Sequence, residues 1–107
     1  MHGGSVVRDK YGSVWAAFTA SFGEGDSLQA EALALAKVLD MCSSMQLFIS
    51  SVETDSLLLY RALMDMGIIP WSIVYAVNRC KALMGSHTVI SHTFLEGNTI
   101  VDFFGIN

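Results

Sequence analysis

The stretch MQLFISSVETDSLLLY (residues 45–60) changes from a strand pattern to a helix pattern within a few residues. Its apolar run at 47–49 is short and continuous, as in a strand buried on both faces of a parallel or mixed sheet. Asp55 closes this strand, and Ser56 can cap the short helix that follows it. A buried strand that leads directly into a helix predicts an α/β domain.

The sequence on either side extends the same pattern. Residues 5–8 and 13–21 are rich in strand formers and flank the turn sequence DKYG, which predicts a β-hairpin. A helix is expected from residue 27 to about 41, a short helix up to 63 and another from 71 to about 84 after Pro70. A strand at 86–95 and a last helix capped by Asn98 complete the order ββαβααβα. This order predicts a mixed sheet flanked by helices.

Composition limits the class of protein. The 107 residues are 52% hydrophobic and only 15% charged, which predicts one domain over 1–107 with a substantial core. No apolar run reaches the roughly 18 residues of a membrane span, and the start is unlike a signal peptide, so an intracellular, soluble protein is expected. The net charge of −4 argues against binding nucleic acid by bulk electrostatics alone. Cys42 and Cys80 are far apart and are predicted to be reduced core thiols.

Glu31 is the most informative acidic residue. The helical stripe of residues 28–42 contains Leu28, Leu35, Val38 and Cys42, and Glu31 falls on the same stripe. A carboxylate among leucines is unfavourable unless it is protonated, paired or bound to a cation. The alternative is that the side chain reaches solvent from the edge of the core.

Asp55, Asp102 and His92 each have two interpretations. Asp55 lies at the carboxyl end of a strand, where α/β sheets gather ligands, or it caps the next helix. Asp102 either binds a ligand or, as an acid in the first turn of a helix, interacts favourably with the helix dipole. A lone histidine such as His92 is more often structural than catalytic. Taken together, the three acidic residues suggest a metal-binding carboxylate cluster. Asp9 is assigned to the hairpin turn, and Glu53 either supports the cluster or is solvated.

Four segments together resemble one family. They are GGSVVRDKYGSVWAAF (3–18), SLQAEALALAKVL (27–39), FISSVETDS (48–56) and SHTFLEGNTIVD (91–102). In this order and spacing they resemble the type 1 ribonuclease H-like domain, especially its plant retroelement-derived branch. The resemblance covers nearly the whole chain and implies a three-layer ribonuclease H-like fold.

The resemblance also implies a chemistry. In that family four carboxylates hold two divalent ions, Mg²⁺ or Mn²⁺, that cut the RNA strand of an RNA/DNA hybrid. Glu31, Asp55 and Asp102 match three of those metal ligands. His92 matches a histidine that assists proton transfer or product release. Hard oxygen ligands suit these ions.

The chain departs from the family at its N-terminal end. The family's first carboxylate lies on a strand that precedes the Gly-Gly hairpin, and residues 1–107 contain no counterpart of that strand. The expected domain is therefore incomplete at the N-terminus and short at the C-terminus, and it lacks a central strand. Two outcomes stay open: residues 5–8 pair directly and antiparallel with 47–52, or another chain donates a strand.

Three functions follow from these residues. The first is a magnesium-dependent endonuclease of RNA/DNA hybrids. The second is a catalytically inactive, retroelement-derived fragment that binds nucleic acid weakly, binds a protein partner or associates with itself through its open sheet. The third is a different nuclease or recombinase on the same general fold.

Overall fold

A computed structural model of the protein describes residues 2–20 and 27–93, with the backbone alone for residues 2–3, 16–20 and 27. Its elements are β1 (His2–Asp9), β2 (Val14–Ala20), α1 (Ser27–Ser44), β3 (Ile49–Thr54), α2 (Leu57–Leu63), α3 (Trp71–Leu83) and β4 (Val89–His92). The predicted α/β class and the order ββαβααβ are confirmed. The predicted last helix, with Asp102, falls outside the described residues.

The four strands form one mixed sheet in the order β2-β1-β3-β4. β1 pairs antiparallel with β2, as the predicted hairpin requires, and β3 pairs parallel with β4. β1 also pairs antiparallel with β3, from Ser5 opposite Thr54 to Arg8 opposite Ser51. The first of the two sequence outcomes is therefore the one observed, because the hairpin strand joins the strand before Asp55 directly.

The end of α1 and the start of β3 differ from the sequence expectation. α1 continues to Ser44, past the expected end near residue 41, because Cys42 is fully buried and extends the core-facing stripe by one more turn. Gln46 then adopts a positive φ of 59°, which ends the helical backbone path. β3 consequently begins at Ile49, several residues later than the apolar pattern suggested.

The three described helices share one core with one face of the sheet. Val7 and Val52 face each other across the β1–β3 pair and are fully buried. The helical side of this core comprises Ala32, Leu35, Ala36, Leu39, Cys42, Leu59, Ala62, Leu63, Ile73, Ala76, Val77 and Cys80. Both cysteines are free and buried, as predicted. No helix in the described part of the chain is both long and apolar enough to cross a membrane.

Asp9 organises the hairpin turn. Its Oδ1 accepts hydrogen bonds from the backbone of Tyr11 (2.9 Å) and Ser13 (3.0 Å), and its Oδ2 accepts one from Trp15 Nε1 (3.3 Å). Burial acts to raise the pKa of Asp9, but the hydrogen bonds from Trp15, Ser13 and Tyr11 outweigh it, so the pKa is lowered. Asp9 therefore belongs to the turn, as the sequence indicated.

The core-facing stripe of α1 gives a direct test of the fold. Leu35 is 0% exposed, whereas Leu33 on the same helix is 45% exposed. Leu35→Ala is expected to lower the free energy of unfolding by about 2–5 kcal/mol, because it leaves a cavity in the core. Leu33→Ala is the matched control and should cost less than about 1 kcal/mol. Urea denaturation of both variants measures the difference, and equal losses would contradict this packing.

Candidate metal centre

Glu31 lies at the N-terminal part of α1, one helical turn before the fully buried Leu35. Residues four apart on a helix share a face, so Glu31 continues the stripe that packs into the core. Its side chain is half-buried. Glu31 therefore lies on the core-facing stripe but keeps part of its side chain in solvent, so both interpretations of this residue stay open.

Asp55 directly follows β3 and is held by the start of β1. Its Oδ1 accepts a hydrogen bond from the backbone N–H of Gly4 at 3.1 Å. Its own N–H donates to the carbonyl oxygen of Gly4, also at 3.1 Å. Two hydrogen bonds to one buried residue fix both the backbone and the carboxylate of Asp55.

Ser56, and not Asp55, caps α2. Ser56 Oγ accepts a hydrogen bond from Leu59 N at 3.2 Å, which is the contact of a helix N-cap. The simpler interpretation of Asp55 as the cap of this helix is therefore wrong. Its carboxylate accepts from Gly4 instead and lies at the carboxyl end of the parallel pair β3–β4.

Glu31 and Asp55 are brought together from separate elements. Burial, and secondly the negative charge of Asp55, raise the pKa of Glu31 to about 7. The second effect places Glu31 within electrostatic reach of Asp55 in a partly dehydrated setting. Near neutral pH, Glu31 is therefore protonated in a substantial fraction of molecules.

His92 lies at the same end of the sheet. It is opposite Thr54 in the parallel β3–β4 pair, and Thr93 N donates to Thr54 O at 2.9 Å, so its backbone neighbours the residue before Asp55. The His92 ring centroid is 6.1 Å from that of Tyr60 on α2, with the planes tilted by 47°. The ring thus contacts α2 at the edge of the candidate site.

The described residues hold part of the predicted cluster. Within 2–20 and 27–93, no group of three or more His, Cys, Asp and Glu side chains is arranged to hold a metal ion. The predicted third carboxylate, Asp102, lies outside these residues. Glu53 does not join the pair, because its Oε2 accepts from Arg8 Nη1 at 3.2 Å across the β1–β3 pair.

Sequence reasoning missed two residues that shape this site. Gly4 supplies the N–H that holds the Asp55 carboxylate, and Tyr60 supplies the ring beside His92. The Gly3-Gly4 pair was a visible signal, since it was one of the family matches, but a backbone donor has no side-chain signature. Tyr60 gave no signal, because an aromatic residue in an apolar helix is ordinary.

The donor chemistry of the pair fits a divalent cation. Carboxylate oxygens are hard ligands, and Mg²⁺ is commonly bound by one or two carboxylates, water and substrate phosphates. Burial and, secondly, the charge of Asp55 make the ionised form of Glu31 unfavourable, and a bound cation would offset both effects. Glu31 and Asp55 are therefore the residues of the described part that would hold a metal ion.

Comparison of the chain with known proteins found no similar protein. No protein-family model matches the chain, and no curated protein or solved structure matches it either.

The raised pKa of Glu31 predicts that removing its charge increases the free energy of unfolding at high pH but not at low pH. The folded protein keeps the Glu31 proton up to about pH 7, whereas an ordinary glutamate loses it near 4.5, so this residue's contribution to stability falls as the pH rises between these values. Glu31→Gln should stabilise the protein by about 1–2 kcal/mol at pH 8, after discounting for partial exposure, and give no gain at pH 4.

Urea denaturation at the two pH values measures this effect. Glu53→Gln is the matched control, because Glu53 is paired with Arg8 instead of facing a second carboxylate. It should lack the gain at pH 8. A Glu31→Gln protein that is less stable than the unchanged protein at pH 8 would contradict the raised pKa of Glu31.

Proposed function

We propose that this chain is a ribonuclease H-like domain that binds an RNA/DNA hybrid and hydrolyses its RNA strand with the help of Mg²⁺ or Mn²⁺. The proposal is supported above all by two carboxylates: Asp55 follows β3 at the carboxyl end of the parallel β3–β4 pair, and half-buried Glu31 on α1 lies within reach of its negative charge. Both residues match family metal ligands in the sequence resemblance.

The sheet supports the same proposal. The resemblance implies a mixed sheet flanked by helices, and the described elements form one mixed sheet with three helices. The strand that precedes the hairpin in the family has no counterpart in residues 1–107. Its place beside β3 is taken by β1, whose first residues hold Asp55.

Different residues of the described part would bind the metal ion and transfer the proton. The Gly4 N–H keeps one oxygen of Asp55 in place and leaves the other oxygen to act as a ligand. Glu31, with a pKa of about 7, is ionised in a substantial fraction of molecules at neutral pH and becomes fully so beside a cation. His92, which pairs with Thr54 at the same end of the sheet, would exchange a proton with the product.

The reaction adds water across one phosphodiester. The bond between phosphorus and the 3′-oxygen breaks, the water oxygen stays on phosphorus, and the 3′-oxygen takes up a proton. The products are a 3′-hydroxyl and a 5′-phosphate. When bound, the divalent ions would activate the attacking water and stabilise the leaving oxygen.

A second candidate is a catalytically inactive module that binds a protein partner. It is favoured by the exposed apolar side chains where α2 leads into α3: Ile68 is 97%, Trp71 88% and Tyr75 75% exposed. Aromatic residues at such positions are frequent in protein interfaces. This candidate requires no metal ion, and the two functions are separated by the cleavage assay below.

The cleavage assay tests the enzyme directly. The protein should cut the RNA strand of a labelled RNA/DNA hybrid in Mg²⁺ or Mn²⁺, and Asp55→Asn should lower the rate at least about 100-fold by removing a ligand charge. Asp65→Asn is the matched control, because Asp65 is an exposed aspartate paired with Lys81. It should cut at the unchanged rate.

The same assay distinguishes the alternatives. No cleavage by protein that unfolds cooperatively in urea would overturn the enzyme proposal and leave the binding module. Cleavage that survives Asp55→Asn would show that the activity does not come from the Glu31–Asp55 pair.

A further inference from the structure

A second surface with ligand chemistry lies at the opposite end of the sheet. It consists of Lys10, Tyr11, Phe48 and His87, and we call it the hairpin-end surface. Lys10 Nζ lies 5.3 Å from the centroid of the Tyr11 ring and 5.9 Å from that of the Phe48 ring. The Phe48 ring stacks on His87 with centroids 3.8 Å apart and planes inclined by 21°.

All four side chains of the hairpin-end surface are exposed. Tyr11 is 75% exposed and Phe48 44%. Single exposed apolar residues are ordinary on a protein surface, whereas several exposed rings grouped around one lysine are a less common arrangement. The hairpin-end surface therefore combines exposed aromatic faces with a positive charge, and this combination is suited to binding a ligand.

Hydrogen bonds hold the three segments of this surface in place. Lys10 N donates to Phe48 O at 2.9 Å, which extends the β1–β3 pair by one step. Thr88 Oγ1 donates to Ile49 O at 2.8 Å and thereby fixes the loop that carries His87. The Asp9 carboxylate fixes Tyr11 through its backbone N–H. A surface ordered in advance loses little conformational entropy when a ligand binds.

A depression adjoins the surface. It has a volume of about 430 Å³ and is lined by Tyr11, Gly12, Ser13, Val14 and Trp15. This volume is within the range of small-molecule sites, roughly 300–1,000 Å³. Tyr11 belongs to both the depression and the ring cluster, so one ligand can contact both.

The charges favour an anionic ligand. The ion pairs among the described residues use the cations Arg8, Arg79 and Lys81, so Lys10 stays available at this end of the sheet. Asp9 is the acid nearest to it in the sequence, and Asp9 is 3% exposed with its oxygens engaged in hydrogen bonds. Lys10 therefore offers a positive charge beside flat apolar rings.

We propose that the hairpin-end surface binds a single-stranded segment of nucleic acid. A nucleobase stacks on the Tyr11 ring and enters the adjoining depression, a neighbouring base meets the Phe48–His87 stack, and Lys10 contacts the phosphate between them. Aromatic stacking with a nearby cation is the general mode of single-strand binding. The inference goes beyond the proposed cleavage, because it requires neither metal ion nor turnover.

The surface is distant from the carboxylate pair. Lys10 directly follows β1 and lies six residues after Gly4, which is about 20 Å at the rise of a strand. A single strand that extends from a hybrid held at Glu31 and Asp55 could reach this distance with about six nucleotides. The two sites can therefore be tested separately.

The experiment measures binding of fluorescently labelled 12-nucleotide oligothymidylate and oligouridylate, by anisotropy in EDTA at low salt. Lys10→Gln/Tyr11→Ala should weaken binding at least about 10-fold for both oligonucleotides, because one stacked ring and one phosphate contact are lost. Tyr11→Phe should bind as the unchanged protein does, since the ring is kept. Lys37→Gln/Met41→Ala, an exposed lysine and an exposed large apolar side chain elsewhere, is the matched control and should also bind unchanged.

A second readout places the ligand. In a Trp71→Phe protein, Trp15 is the remaining tryptophan, because the chain has two. Its emission should change as the oligonucleotide saturates the protein. Asp55→Asn should bind normally in EDTA, so loss of cleavage and loss of this surface are distinguishable. Equal affinity of the Lys10→Gln/Tyr11→Ala variant and the unchanged protein, or no binding by the folded protein, would overturn the proposal.

Discussion

The antiparallel pairing of β1 with β3 is the constraint on which the rest of the structure depends. It joins the local β2–β1 hairpin to the parallel β3–β4 pair, and without it the chain would consist of two small unconnected sheets. The pairing also brings Val7 against Val52, so that one continuous sheet face meets the three helices. The same ladder ends at Gly4 and Asp55. The register of the β1–β3 pair thus determines the packing of the core, the continuity of the sheet and the position of Asp55.

Ionised Glu31 lowers the stability of the folded protein. Dehydration and the charge of Asp55 make ionised Glu31 unfavourable, although its neighbours Ala32 and Leu35 are buried and anchor the helix. Charge held in a costly arrangement at the end of a sheet is typical of sites that bind cations or transfer protons. The exposed ion pairs Arg79–Asp40 and Lys81–Asp65 contribute little by comparison, because solvent screens them.

The sequence predicted the elements and part of the site, for identifiable reasons. The period of the apolar residues in α1 and the turn chemistry of Asp9 are local signals, and both led to correct elements. The partner of β1 was one of two open outcomes, because strand pairing depends on contacts between distant residues. Glu31 and Asp55 were found because a carboxylate on an apolar stripe, and one after a buried strand, are unusual.

Other features had no sequence signal that could reveal them. The role of Gly4 depends on its backbone N–H, which every residue except proline possesses. The ring contact of His92 with Tyr60 and the stacking of Phe48 on His87 join residues that are not neighbours in the sequence. The ribonuclease H-like identity stays a prediction, since the mixed sheet and the carboxylate pair support it and no known relative matches.

The hydrogen bond from Gly4 to Asp55 couples two properties that are usually separate. Fraying of the β1 terminus would break the hydrogen bond that holds the Asp55 carboxylate. Disorder at the start of the strand would therefore also disorder the candidate site. The Gly4 amide proton is therefore an internal spectroscopic reporter. Its chemical shift and its exchange with solvent should follow the charge state of the neighbouring carboxylates, and so read out the site from the backbone without a substrate, a label or a substitution.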